Sequence, residues 1–409
     1  MTTTISPALI MGSQAPRLGS LPPLSLYIHI PWCVKKCPYC DFNSHEVRPE
    51  GKDMPEAEYV AALVHDLETA VPQVWGRQVV SVFFGGGTPS LFRAQSIETI
   101  LSAVRALLPL ELLAEVTLEA NPGTFEMQKF ADFRAAGINR LSVGIQSFNR
   151  AHLRSLGRIH DDNDARRAIE IAQRNFDNVN LDLMYGLPDQ TLEDARKDIE
   201  TAVASGVTHI SAYHLTLEPN TLFHRYPPPL PDDDLAAEMQ LMIEQTLASG
   251  GYGNYETSAF AQPGQEARHN MNYWLFGDYL GIGAGAHSKI SYRDKILRQI
   301  RYRQPKEYLE NTLARTVDAG PALMEQHEVG RNDRAFEFMM NALRLTGGFT
   351  TETFVERTGL PITSIQRQLD EAENRELITR DYQRVVPTLL GRRFLNDLLQ
   401  IFLPEKRKE

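Results

Sequence analysis

Between Leu24 and Tyr255, short apolar and β-branched runs alternate with longer segments whose apolar residues recur at helical spacing. The short runs cover residues 26–30, 79–84, 115–120, 140–145, 179–184 and 209–215, each of strand length. Among the longer segments, Tyr59, Leu63, Leu67 and Val71 fall on one helical face. Leu192, Ala195, Ile199 and Val203 form another, opened by Thr191 with Asp194 three residues on in the manner of a capping box. Leu235, Met239, Ile243 and Leu247 form a third, stopped by Gly250-Gly251.

Six strand–helix units in succession predict an α/β fold, a parallel sheet with helices outside it. The spacing fits a doubly wound sheet or a barrel, and the polar residues favour the barrel. Gly85-Gly86-Gly87, Glu119, Gln146, Asp182 and His214 stand at the strands' C-terminal ends, where barrels build their sites. Six units instead of eight predict a partial (β/α)6 barrel. From Gly281 the rhythm is lost. Helical patterns return over residues 333–345, 351–358 and 361–375, a β-like pair spans 377–380 and 384–388, and a last helix covers 392–402. Helices followed by a hairpin predict a smaller, mostly helical, winged-helix-like C-terminal domain with a packing or lid role. The expected boundaries are a disordered tail over 1–23, the barrel over 24–280 and the C-terminal domain over 281–409.

With 409 residues the chain is too long for one ordinary core, which agrees with a large and a small domain. A formal net charge of −10 argues against a nucleic-acid surface. No apolar run is long enough to span a bilayer. The Thr/Ser/Pro-rich start has no Lys or Arg before Arg17, unlike a signal peptide, so a cytoplasmic protein is expected.

The cysteines change the picture most. All three, Cys33, Cys37 and Cys40, lie in one eight-residue stretch directly after the first strand. Scattered pairs would indicate disulfides; one cluster indicates a ligand set. Three thiolates can hold three corners of a [4Fe–4S] cubane and leave one iron open. An open iron can chelate the amino and carboxylate groups of S-adenosylmethionine. The alternative is a Cys₃His zinc knot completed by His29 or His45, although zinc sites more often use paired Cys-x₂-Cys knuckles.

The stretch Tyr27-Ile-His-Ile-Pro-Trp-Cys33-Val-Lys-Lys-Cys37-Pro-Tyr-Cys40-Asp-Phe-Asn resembles the radical-SAM superfamily. Within it, the chain from about Leu24 to the C-terminus is similar to the oxygen-independent coproporphyrinogen oxidases and to their sister family, the HemW heme chaperones. Gly85-Gly86-Gly87-Thr88-Pro89 reads either as a tight strand–helix turn or as a bare ribbon for the methionyl amino group. The resemblance implies the second, and so places Gly86, Gly87 and Thr88 at the cofactor. Asp182 inside an apolar strand needs a partner. A structural Arg would serve; the resemblance instead places Glu119, Gln146, Arg158 and Asp182 around S-adenosylmethionine, with Tyr27 and with Tyr39 beside the adenine.

His269-Asn-Met-Asn-Tyr273-Trp274 resembles the HemW heme-binding signature. A neutral imidazole suits heme iron, and Tyr and Trp offer flat apolar faces to a porphyrin. The same residues could instead pack a helix on the barrel mouth. Where the oxidases carry a fourth cysteine, this chain has Phe42, which points to the sister family. The resemblance thus implies a [4Fe–4S] cluster, S-adenosylmethionine and heme as bound groups and apo-hemoproteins such as respiratory enzymes as recipients. It also implies an electron donor for the cluster, room for transient membrane association and a homodimer. The competing readings are oxidative decarboxylation of coproporphyrinogen III and a zinc-stabilised binding protein.

Overall fold

In this computed structural model, residues 17–47, 54–123 and 127–404 are described. Residues 1–16 of the expected N-terminal tail lie outside them. The six expected strands are β1 (Leu24–Ile30), β2 (Val79–Gly86), β3 (Leu110–Ala120), β4 (Arg140–Gln146), β5 (Asn178–Tyr185) and β6 (His209–His214). They pair in parallel and in chain order. That unreversed succession is the winding of a partial barrel; a doubly wound sheet would reverse direction.

Helices α1 (Glu56–Ala70), α2 (Ala94–Leu107), α3 (Phe130–Ala136), α4 (Asp162–Asn175), α5 (Leu192–Ser205) and α6 (Asp233–Ser249) follow the successive strands. Capping boxes at Asp161/Asp164 and Thr191/Asp194 start α4 and α5 by satisfying their orphan amides. The strands alternate between two environments. On β1, Leu24, Leu26, Ile28 and Ile30 join the main apolar core. Ser25, Tyr27 and His29 face the other way and hydrogen-bond to Ser81, to each other and to the Asn43 carbonyl.

The sheet does not end where the strand–helix rhythm does. A hairpin, β7 (Gly253–Glu256) and β8 (Ala259–Ala261), extends it antiparallel beyond β6. Helix α7 (Arg268–Trp274) then crosses to β9 (Asp278–Ile282), which pairs in parallel with the free side of β1. Strands β10 (His287–Ser291), β11 (Ile296–Arg301) and β12 (Leu323–Glu328) continue antiparallel, giving the order β12-β11-β10-β9-β1-β2-β3-β4-β5-β6-β8-β7 in a twelve-stranded sheet. The loss of rhythm at Gly281 therefore marks a change from parallel to antiparallel pairing. Helix α8 (Pro305–Leu313) packs this extension against α1 through a buried cluster in which Asp66 accepts from Arg301 Nε (3.0 Å) and Tyr308 OH (2.9 Å).

A second core, with Phe338, Phe349, Phe354, Leu369, Val385 and Leu398, organises the C-terminal part. It holds α9 (Arg331–Ala342), α10 (Thr351–Thr358) and α11 (Gln366–Asn374) against a small sheet of β13 (Phe349–Thr350), β14 (Ile378–Arg380) and β15 (Arg384–Pro387). The last expected helix is broken at Phe394 into Leu389–Arg393 and Leu395–Gln400. No helix among the described residues is long and apolar enough to cross a membrane.

Candidate functional site

The chain leaves β1 through Pro31 and Trp32, whose indole packs edge-on against Tyr59 with centroids 4.7 Å apart. That anchor fixes the start of the cysteine loop, and a two-residue bridge of Trp32–Cys33 with His45–Glu46 fixes its end. Between them, the Cys40 amide donates to the Cys37 carbonyl at 3.1 Å. Thr88 Oγ1 lies 3.5 Å from Cys33 Sγ, Arg158 Nη1 3.7 Å from Cys37 Sγ and Ser44 Oγ 3.8 Å from Cys40 Sγ. Burial pushes the Cys33 thiol up to about 11 and raises Cys40 as well, so these thiols hold their protons until a cationic centre takes their place.

The three cysteines open onto a cavity of about 420 Å³ at the strands' C-terminal ends. Tyr39, Gly86, Gly87, Thr88, Glu119, Gln146, Arg158 and Asp182 line the same cavity, so residues spread over the chain from 33 to 182 meet in one place. The glycines are required by packing before any ligand arrives. A Cβ on Gly86 would stand 2.5 Å from the His29 ring, and one on Gly87 2.5 Å from the Trp32 carbonyl oxygen. Gln146 closes β4 in the left-handed region at φ 68°, the strained geometry that turns a strand end toward a site. The Arg158 guanidinium is held by Asn121 Oδ1 at 2.7 Å and the Gly144 carbonyl at 2.5 Å.

Asp182 accepts from Ser142 Oγ (2.8 Å) and Asn180 Nδ2 (2.9 Å), and no Arg among the described residues is hydrogen-bonded to it. Burial pushes its carboxyl upward. Glu119, which accepts from the Gly86 amide at 3.2 Å, is pushed up to about 8 by burial first and by the charge of Asp182 second. Two half-buried carboxyls facing one cavity form a receptor for a cation.

Tyr27 is not in this cavity. It lines a neighbouring one of about 720 Å³ that shares Gly86 and Glu119 with the first and reaches Tyr273. The signature helix α7 sits at the other end of the barrel, where the strands begin. Glu115 caps its N-terminus, accepting from the Arg268 amide (3.0 Å) and the His269 amide (3.1 Å). Asn272 Nδ2 donates to Ser25 Oγ (2.9 Å) and to the Asp278 carbonyl (2.8 Å). The His269 imidazole is 1% exposed. Its Nδ1 is hydrogen-bonded to Ser81 Oγ at 2.9 Å, its Nε2 to Tyr273 OH at 3.2 Å, and Phe83 stacks on it. Burial and then Arg140 hold it down at about 3. Trp274 faces away from the cavity, under the Arg344 guanidinium at 4.4 Å. His269 and Tyr273 thus meet inside the barrel, while Trp274 packs under Arg344.

Residues 27–202 match the radical SAM superfamily, and residues 329–394 match the HemN C-terminal domain. The heme chaperone HemW of Escherichia coli (strain K12) is 47% identical over 94% of this chain and 99% of its own length. The chain belongs to the HemW family. The HemW of Haemophilus influenzae is 45% identical over 95% of this chain and 100% of its own. The Escherichia coli coproporphyrinogen III oxidase HemN, a radical SAM enzyme, shares the fold with a TM-score of 0.78, 24% identity and coverage of 93% and 90% of the two chains.

Membership in this radical SAM family implies a [4Fe–4S] cluster and S-adenosylmethionine, and the donor set fits them. Three thiols come from a single loop, and no three His, Cys, Asp or Glu among the described residues converge closely enough to hold a single metal ion. Three thiols around one open cavity suit a cubane that keeps one iron free for a ligand. His29 is unsuited as a fourth zinc ligand, since Tyr27 OH and the Asn43 carbonyl engage its two ring nitrogens. Phe42 is 61% exposed and lines both cavities. Sequence reasoning missed Asn121, which joins Arg158 to Thr88, and missed the whole second cavity. A signal for the latter exists in Gly281-Ile-Gly283-Ala-Gly285. A Cβ at these glycines would meet the His287 carbonyl at 2.1 Å, the His29 carbonyl at 2.4 Å and Asn43 Nδ2 at 2.3 Å, so the string marks close approach of three segments.

Proposed function

We propose that this chain is a heme chaperone that binds a [4Fe–4S] cluster, S-adenosylmethionine and heme, and passes heme to apo-hemoproteins. The observation that carries the reading is one cavity edged by three thiols and floored by Glu119 and Asp182, with a second cavity opening from it toward Tyr273. In this reading Cys33, Cys37 and Cys40 hold the cluster. Glu119 and Asp182 receive the positive charges of S-adenosylmethionine, while Gly86, Gly87, Thr88, Gln146 and Arg158 shape its seat and Tyr39 flanks the adenine. Cluster and cofactor together supply one-electron reductive chemistry.

Tyr27 and Tyr273 belong to the heme side, as walls of the second cavity. His269 orients the Tyr273 hydroxyl from behind, and Trp274 ties α7 to the C-terminal part through Arg344. The proposal extends to respiratory enzymes as recipients, an electron donor that reduces the cluster, a homodimer, and a cytoplasmic location with transient membrane contact. Respiratory enzymes are the recipients because they carry heme close to membranes, and a donor follows from any reductive use of the cluster. Oxidative decarboxylation of coproporphyrinogen III is the second reading, and Phe42 speaks against it.

The test is anaerobic reconstitution followed by heme titration and transfer to an apo-hemoprotein. Stoichiometric heme binding with transfer is expected, and no protoporphyrinogen should form from coproporphyrinogen III with reductant and S-adenosylmethionine. A fully loaded protein that binds no heme overturns the reading. Cys37→Ser should lose the cluster while keeping the fold; full iron content in that variant contradicts the ligand assignment.

A further inference from the structure

The second cavity lies on the open side of the barrel, between the cysteine loop and the β9–β11 extension. Asn43 pins these two segments together, its Nδ2 donating to the Ala284 and Arg303 carbonyls, each at 2.9 Å. Three properties of its walls bear on a ligand. Tyr27, Tyr273 and Tyr279 give flat aromatic surface inside, and exposed Phe42 stands at the mouth. Lys36 and Arg303 bring positive charge to the rim. Lys36 is fixed there by the Phe42 and Ser44 carbonyls at 3.1 and 3.3 Å, and Arg303 forms no ion pair among the described residues with any carboxylate. Asp41 and the largely protonated Glu119 are the acidic members of the lining.

The third property is an imidazole. Of the cavity's histidines, His29 has both nitrogens engaged and His45 has its Nε2 shut off from solvent. His287 is exposed at the start of β10, and neither ring nitrogen has a hydrogen-bond partner among the described residues. Partial burial, followed by Arg303 and Arg298, lowers its proton affinity, so the ring is neutral with a lone pair to offer. His269 offers none in this conformation, being sealed and doubly hydrogen-bonded.

We infer that the cavity between the cysteine loop and β9–β11 is where heme docks, with His287 as the iron ligand and Lys36 and Arg303 as partners of the propionates. A flat aromatic macrocycle bearing carboxylates and a metal is the class that matches aromatic walls, two cations and one free imidazole in about 720 Å³. The shared Gly86 and Glu119 place this ligand directly beside the S-adenosylmethionine seat. The inference rests on the heme-chaperone reading and adds the site and the ligating residue.

The test uses the full chain, titrated with hemin and separately with iron-free protoporphyrin IX. His287→Ala should bind hemin at least tenfold more weakly and shift its Soret band, yet bind the iron-free porphyrin as the wild type does. Arg303→Glu should weaken both ligands at least threefold. Wild-type affinity and Soret position for hemin in His287→Ala overturn the inference, as does a Soret shift produced by His269→Ala alone. If the unmutated chain takes up no hemin, the heme-chaperone reading itself fails, and the inference with it. His287 is exposed, so an unchanged thermal midpoint in His287→Ala confirms that folding is not what the titration reads.

Discussion

Replacing Glu119 by Gln tests how the cavity handles charge. In the ligand-free protein, burial and Asp182 push the Glu119 carboxyl up to about 8. At pH 7 about nine molecules in ten therefore carry the proton there. S-Adenosylmethionine brings a sulfonium, and an amino group that still donates N–H when it chelates iron, and either one close to Glu119 favours the carboxylate. Binding should then expel close to 0.9 proton from this group at pH 7. The sign follows directly: affinity rises about tenfold per pH unit below 8 and flattens above it. The assay is anaerobic calorimetry of S-adenosylmethionine binding in two buffers of different ionisation enthalpy, comparing the wild type with Glu119→Gln. Protons from the ligand's own amine and from other groups appear in both proteins and cancel in the difference. The variant should release about 0.9 proton fewer and lose the share of the pH dependence that Glu119 contributes. Equal release from both proteins refutes the assignment of Glu119 to the cationic ligand. Without ligand, a carboxyl raised in the folded state is destabilising once the unfolded chain ionises. Wild-type stability should thus fall relative to Glu119→Gln as pH climbs from about 4.5 to about 8 and stay level beyond.

Other outcomes follow from buried pairs and close approaches. Asp66→Ala strips Arg301 of its only ion-pair partner among the described residues and should cost about 3–5 kcal/mol in urea unfolding. His209→Leu takes one hydrogen bond from Asn180 Oδ1 (2.6 Å), which keeps Ser211 Oγ, and one from Tyr255 OH (2.8 Å), which keeps the Ala267 amide, a loss of about 0.5–1.5 kcal/mol for each bond, read by thermal melting. Gly86→Ala puts a methyl group against the His29 ring at φ 115° and should lower the melting temperature and abolish S-adenosylmethionine binding together. Arg344→Ala uncovers Trp274 and should shift its fluorescence to the red with little change at the cysteine cavity.

Local chemistry made much of this protein legible in its sequence. The six parallel strands stand within a residue or two of their expected places, except β3, which begins five residues earlier. Their apolar runs, glycine stops and capping residues act over a few positions. The cysteine spacing and the polar residues at the strand ends are equally local, and barrel topology alone brings them together.

The remainder was decided by partners far away in the chain. Strands β9 and β10 escaped notice because Asp278 and Lys289 make them look polar, yet these two are buried and paired with each other at 2.8 Å, and Asp278 also takes Arg77. The sequence around His269 is equally compatible with an open heme ligand and with a buried plug. Only the tertiary structure supplies Ser81, Phe83 and Glu115 around α7, and only it leaves His287 uncovered at the edge of a cavity. Periodicity and motif spacing report what a residue does to its neighbours in the chain; burial and free lone pairs depend on segments that arrive from elsewhere.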